Sequence, residues 1–296
     1  MRRLFLFFAL FLALTARAEI NPEWTTALTP FQISDNLYYV GSQELAAYLV
    51  TTPAGNILIN ANLETSPPQI RRSVEKLGFN WADTKILLNS QAHFDHMAGA
   101  AQVLRETGAK IMVMEGDADA VESGGRTDFF ASTRAGPSYP RAKVDRILRD
   151  GDTVELGGVT LTAHKTAGHT RGCTTWTLPV HLPGEPRDQL RNAVIVGGVM
   201  FWSDFRLIDG GGEKASYPGI AEDFARTFRV LRSLPCDLFL GAHGSYFDLE
   251  SKLPRLEKEG PRVFLDAAGY KAFVAKSQAA FETALKKEQE AARPAQ

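Results

Sequence analysis

Lys85-Ile86-Leu87-Leu88-Asn89-Ser90-Gln91-Ala92-His93-Phe94-Asp95-His96 is a short apolar run that breaks straight into a cluster of metal-binding side chains. The apolar half reads as a buried strand, and the polar half as a loop at its tip. In an extended loop Gln91, His93 and Asp95 point one way and His96 the other, so one loop can serve two neighbouring sites. Downstream, Ala98 to Thr107 keeps helical spacing and is closed by Gly108; Lys110 to Met114 reads as the next strand. A β-loop-α-β unit carrying such a loop points to a paired-zinc hydrolytic centre.

Upstream, Leu37 to Val40, Ala46 to Val50 and Ile57 to Ile59 alternate with turn residues and predict an antiparallel meander. A helix follows from Ser66-Pro67-Pro68 to Gly78, with Ile70, Val74 and Leu77 on one face. Gly124 to Arg141 has no clear period and is expected to be a long loop of the kind that lies over a site. Strands resume over Val144 to Leu148, Thr153 to Leu156, Val159 to His164, Thr174 to Val180 and Ala193 to Val196. Asp204 to Tyr217, with Gly210-Gly211-Gly212, reads as a flexible tether without a phosphate-binding pattern. Ile220, Phe224, Phe228 and Leu231 mark an amphipathic helix, Leu238 to Leu240 a buried strand, and Ala267 to Ala292 a final helix.

Each candidate ligand segment falls just after a strand: Asn89 precedes Gln91, Thr166 precedes His169 and Leu240 precedes His243. Two mixed sheets packed face to face, with helices on the outer faces, would gather those strand ends along one edge, so the expected fold is an αβ/βα sandwich.

The first residues bound the rest. Arg2-Arg3, the apolar run Leu4 to Leu14 and Ala16-Arg17-Ala18 have the form of a secretory signal, so residues 1–18 are expected to be removed and 19–296 to form one domain. The run is shorter than the roughly 20 residues that span a bilayer, and no stable membrane anchor is expected. Arg2-Arg3 also suggests a twin-arginine signal, but the apolar core starts at once, which favours general secretion to the periplasm or medium. A formal net charge of −1 without a long basic run removes the footprint of a nucleic-acid binder and favours a small-molecule substrate. No feature requires an oligomer, and a monomer is the simplest expectation. Two cysteines, Cys173 and Cys236, do not make a disulfide framework; they could pair, or lie apart as small buried hydrophobes.

Two groups of three ligands follow from the residue types: Gln91, His93 and His169 for a first ion, and Asp95, His96 and His243 for a second. His164 and His181 are read as structural.

With Gly168-His169-Thr170 and Gly241-Ala242-His243-Gly244, these residues closely resemble the metallo-β-lactamase superfamily and, within it, subclass B3. Leu37 to Gly41, Val113-Met114-Glu115-Gly116-Asp117, Asp150-Gly151-Asp152-Thr153 and Tyr217-Pro218-Gly219-Ile220 extend the resemblance over nearly all of the mature chain. It implies one or two zinc ions and opening of the β-lactam ring of penicillins, cephalosporins or carbapenems. Hydroxide generated on zinc would attack the lactam carbonyl, with Asp95 as the catalytic residue that orients it.

Three departures stand out. Gln91 replaces the histidine usual in the subclass, a change also known in one branch of it. A neutral amide oxygen is a poorer zinc ligand than imidazole, so the Asp95, His96 and His243 site is expected to be the tighter. Val199-Met200-Phe201-Trp202 lies where small hydroxyl or amide residues usually meet the substrate carboxylate; Val199, Met200, Trp202 and Phe205 are the expected substrate contacts. Cys173 and Cys236 each match one half of disulfides found in different subclass members, with the second halves absent, which favours free thiols.

Other readings are weaker. Ser73-Val74-Glu75-Lys76 fits the S-x-x-K of serine β-lactamases, but the order of the remaining motifs is wrong and Ser73 sits in an amphipathic helix. A thioester or lactone hydrolase of the same fold usually carries a bridging aspartate where this chain has Gly197-Gly198. A zinc-binding protein without turnover is the non-enzymatic alternative.

Overall fold

The computed structural model describes residues 21–132, 138–201 and 204–293. The expected signal segment and Trp202 lie outside the described residues, as does part of the 124–141 loop.

Apolar alternation builds the first sheet. Strands β1 (Phe31–Gln32), β2 (Leu37–Tyr39), β3 (Tyr48–Thr52) and β4 (Gly55–Ile59) form the antiparallel meander. Helix α1 (Pro67–Lys76) then crosses to β5 (Thr84–Leu88). A one-turn helix α2 (Phe94–Met97) and α3 (Ala100–Thr107) lead to β6 (Lys110–Met114), and α4 (Ala118–Ser123) precedes β7 (Arg146–Leu148). Strands β4 to β7 pair in parallel, so the seven-stranded sheet is mixed, in sequential order.

The second sheet contains β8 (Thr153–Leu156), β9 (Val159–Lys165), β10 (Thr174–Val180) and β11 (Arg191–Val196). After α5 (Ile220–Ser233), β12 (Leu238–Gly241) adds in parallel to β11, giving the order β12-β11-β10-β9-β8. Helices α6 (Leu249–Glu259) and α7 (Ala267–Ala291) complete the chain. The expected sandwich of two mixed sheets is therefore the observed fold.

Period-two alternation divides the apolar side chains between two cores. Tyr48, Val50, Ile57, Ile59, Ile86 and Leu88 face the second sheet and join Leu161, Ala163, Trp176 and Leu178 in the central cluster. Leu49, Leu58, Leu87, Ile111 and Val113 face outward under Ile70 and Val74 of α1 and Val103 of α3. Phe224, Phe228 and Leu231 of α5 and Tyr270, Val274 and Phe281 of α7 cover the second sheet. No helix among the described residues is long and apolar enough to cross a membrane.

Three helical segments depart from the sequence reading. Phe94–Met97 is too short to show a period, α4 is six residues, and α6 contains Pro254 in its interior. Cys173 and Cys236 are both free, as the absent second halves suggested.

Candidate metal centre

The strand ends of both sheets meet along one edge, and hydrogen bonds from side chains and backbone clamp them there. Trp176 Nε1 donates to Asn89 O at 2.9 Å and Tyr48 Oη to Gly241 O at 2.7 Å, while Thr174 N reaches Ser90 O at 2.7 Å. Asn60, left-handed at φ 68°, ends β4; its Oδ1 accepts from Ser90 N at 2.8 Å and its Nδ2 donates to Ala46 O at 3.1 Å. A non-glycine residue in that region is held by its surroundings, here the start of the ligand loop.

The loop is not extended past His93. His93 is the N-cap of α2, so Asp95 and His96 are successive residues of a helical turn, and the expected alternation of side chains fails at Asp95. Its backbone is fixed by Ala61 N and Asn62 N, which both donate to His96 O.

Asp95, His96 and His243 come together: the two histidine Nε2 atoms lie 3.1 Å apart, and Asp95 Oδ2 is 3.3 Å from His96 Nε2 and 3.5 Å from His243 Nε2. These three ligand atoms all fall within 4.8 Å of one another. Beside them, His93 Nδ1 faces His169 Nε2 at 3.1 Å. Gln91 is buried, and its carbonyl oxygen accepts a long hydrogen bond from His93 N at 3.4 Å. Unlike His93 and His169, Gln91 does not line the adjoining cavity.

Ligand spacing tests whether zinc fits. Two atoms bonded at 2.0–2.1 Å to one tetrahedral ion stand ~3.3 Å apart. The four spacings here run from 3.1 to 3.5 Å.

Electrostatics agree with that fit. Burial opposes the charge on Asp95, but His96, His243 and His93 outweigh it and hold the carboxyl well below the usual carboxylate range. Burial, with His93 nearby, pushes His169 down to about 3, and burial also lowers His96, so both present neutral imidazole. For His93 burial acts the same way, but Asp128 and Asp95 more than offset it and raise the pKa. Glu23, Glu44, Asp95 and Asp128 line the adjoining cavity of about 350 Å³, and no Lys or Arg does among the described residues. So acidic a wall suits bound cations.

Trp24, Phe94, Phe130 and Met200 supply apolar surface to the cavity. The 124–141 loop contributes Gly125, Asp128, Phe130, Ala131 and Tyr139, so its described part borders the site as expected. Tyr139 Oη, donating to Ala92 O, ties that loop to the ligand loop. Of the expected substrate contacts, Met200 is half exposed and lines the cavity. Val199 is buried in the core instead, and Phe205 packs behind the wall, 5.4 Å from the Phe130 ring and 6.1 Å from that of His169. His164 bonds Thr177 Oγ1 at 2.8 Å, and neither it nor His181 lines the cavity.

Sequence reasoning missed the supporting residues. Asp117 accepts from Thr170 Oγ1 at 2.8 Å and Gly172 N at 2.7 Å, fixing the loop that carries His169. Glu44 and Asp128 approach His243 and His93 from outside. Glu44 and Asp128 have no local pattern, because each meets its partner only in the fold, whereas Asp117 closes the Val113 to Asp117 segment that carries part of the resemblance.

The chain belongs to the metallo-β-lactamase superfamily, whose domain matches residues 46–243. The native FEZ-1 metallo-β-lactamase of Legionella gormanii is 44% identical, with a TM-score of 0.84 over 89% of this chain and 98% of that one. BJP-1, a subclass B3 metallo-β-lactamase of Bradyrhizobium japonicum, is 31% identical, with a TM-score of 0.81 over 92% and 98%. A probable metallo-hydrolase of Burkholderia pseudomallei is 30% identical over 180 residues, 57% of this chain and 54% of its own. The chain spans about half, or less, of the length of the curated relatives it matches.

Proposed function

We propose that the protein is a zinc-dependent hydrolase that opens the β-lactam ring. The observation that carries this reading is the spacing of the ligand atoms, a triad at 3.1–3.5 Å beside a histidine pair at 3.1 Å, at one end of a cavity with an apolar wall. Similarity to FEZ-1 and BJP-1 over almost their whole length supports the substrate class. The Asp95, His96 and His243 group would hold one zinc ion, expected to be the tighter, and His93, His169 and Gln91 a second. Zinc, when bound, lowers the pKa of a coordinated water towards 7 and polarises a carbonyl.

The chain's own residues do the rest. Asp95 Oδ2 faces both histidines of its group, so Oδ1 is the oxygen left to accept a hydrogen bond from the attacking water and orient it. After attack, the same carboxylate would take the proton of the attacking water and hand it, directly or through solvent, to the departing ring nitrogen, leaving the ring-opened acid as its carboxylate. Trp24, Phe94, Phe130 and Met200 shield the lactam from bulk water. The lining holds no cation for the substrate carboxylate among the described residues, so affinity rests on the metal centre and the apolar wall.

Gly197 and Gly198 argue against a thioesterase of the same fold. A Cβ at Gly197 would lie 2.4 Å from Thr174 O, and one at Gly198 2.4 Å from His169 Cδ2, leaving no room for a bridging aspartate. Export to the periplasm belongs to the same proposal, and fractionation of expressing cells tests it.

Hydrolysis of a chromogenic cephalosporin, abolished by a chelator and restored by zinc, is the expected result. Turnover of a thioester or lactone with none of any penicillin, cephalosporin or carbapenem would reject the reading.

A further inference from the structure

An imidazole that holds a metal must present a lone pair on one nitrogen and carry its proton on the other, and the partner of the outer nitrogen decides which. The two halves of this centre pose that problem in opposite senses. His243 turns Nε2 inward, towards His96 and Asp95, whereas His93 turns Nδ1 inward, towards His169. Field effects shared by both rings cannot select opposite tautomers, whereas a separate acceptor at each outer nitrogen can.

The structure supplies one carboxylate to each. Glu44 Oε1 lies 3.3 Å from His243 Nδ1, and Asp128 Oδ1 lies 3.5 Å from His93 Nε2. Both carboxylates are themselves fixed. Glu44 Oε2 accepts from Ser245 N at 2.9 Å and Oε1 from Ser245 Oγ at 2.6 Å, and its backbone is clipped beside His243 by Gly244 N, which donates to Glu44 O at 2.7 Å. Asp128 Oδ1 accepts from Phe130 N at 2.8 Å, at the start of the 3-10 turn that brings Phe130 to the cavity. Both side chains are largely buried, so water screens their charges little. His93 Nε2 makes no hydrogen bond as it stands, and a contraction of a few tenths of an ångström onto Asp128 would create one. The outer nitrogens of the other two rings are set differently: His169 Nδ1 meets the Met200 carbonyl, and His96 Nδ1 is buried with no hydrogen-bond partner among the described residues.

We propose that Glu44 and Asp128 are positioning residues, one for each half of the centre, each holding the outer nitrogen of a single histidine and so setting the zinc affinity of its own half. The inference rests on the metal centre of the proposed function but not on which bond the enzyme cleaves. Asp128 gives it a second consequence: the aromatic wall at Phe130 and the His93 half are joined through one carboxylate oxygen.

Glu44→Gln and Asp128→Asn keep the side-chain shape and remove the charge. Zinc titrations of purified protein against a chromogenic chelator should resolve two steps, with Glu44→Gln weakening one by ~10- to 100-fold and Asp128→Asn weakening the other. Melting of the metal-free variants should match wild type, which separates positioning from a structural role. In the zinc-loaded wild type, nitrogen-resolved NMR of the histidines should find the proton of His243 on Nδ1 and that of His93 on Nε2, a readout that needs no variant. Both variants weakening the same step, either leaving both steps intact, or the protons on the opposite nitrogens would overturn the proposal. Cephalosporin hydrolysis by the wild type, run in parallel, tests the substrate reading separately.

Discussion

Replacing Gly198 by alanine should empty the His93 and His169 half of the centre while leaving the fold. A Cβ at position 198 lies 2.4 Å from Cδ2, 2.7 Å from Cγ and 3.0 Å from Cβ of His169. Ordinary carbon contacts begin near 3.5 Å, so the ring must retreat by roughly 1 Å. Backbone movement offers little relief, because Gly198 N donates to Cys173 Sγ at 2.8 Å and Gly198 O accepts from the same thiol at 3.2 Å. Metal bonds tolerate ~0.2 Å, five times less than the displacement demanded. The cost to folding is that of an overpacked site, about 1–3 kcal/mol, which lowers melting by ~2–4 °C per kcal/mol in a domain of this size. Chelator-competition titration should therefore lose one of its two zinc steps, with the other within a few-fold of wild type. Two unchanged steps in a protein that melts normally would refute the reasoning, since the ring would then have found another way to bind.

Asp95→Asn removes the anion that orients water and should cut cephalosporin turnover by roughly 100- to 10,000-fold; unchanged kcat would reject Asp95 as the orienting group. Burial raises the Asp117 carboxyl from 3.8 to about 6, against the hydrogen bonds from Thr170 and Gly172. A raised carboxyl binds its proton more tightly folded than unfolded, so its stabilising contribution is complete below pH 3.8 and is lost as pH rises through about 6, a swing of roughly 3 kcal/mol. In metal-free protein, Asp117→Asn should escape that loss, and melting of variant and wild type compared from pH 4 to 7 should diverge in the variant's favour. Zinc at 1,000 times its dissociation constant adds ~4 kcal/mol to the folded state, so stripping it should lower the melting temperature and adding it back should raise it with the logarithm of free zinc. A melting curve indifferent to zinc would contradict a preformed centre.

What the sequence made legible was whatever has a local period or a local break. Strand and helix faces follow from Leu49, Leu58 and Leu87 facing one core and Tyr48, Ile57 and Ile86 the other. His93, His169, Asp95, His96 and His243 were readable because each sits just past a strand end, and strand ends gather in this architecture. The turn at Phe94–Met97 was not, since four residues carry no periodicity, and it changes how Asp95 and His96 share a site. Val199 and Phe205 were misplaced for a related reason: apolar residues in a loop can face a cavity or a core, and only packing decides. Glu44 and Asp128 carry no sequence signal, and the supporting role of Asp117 is not readable from its segment, because their partners lie on other strands and loops.

The clamps along the strand edge give the centre a property that its ligand types alone do not. Trp176 to Asn89, Thr174 to Ser90, Tyr48 to Gly241 and Asn60 to Ser90 join segments far apart in the chain, and all of them lie beside the ligand-bearing loops. Ligand atoms thereby stand within a few tenths of an ångström of tetrahedral spacing. A frame braced in this way should limit the rearrangement that binding requires, and affinity not spent on ordering loops remains for the ions. In such a frame, an amide at Gln91 in place of one imidazole should weaken a single bond without dismantling the site, so any loss of zinc affinity is expected on the His93 and His169 half alone.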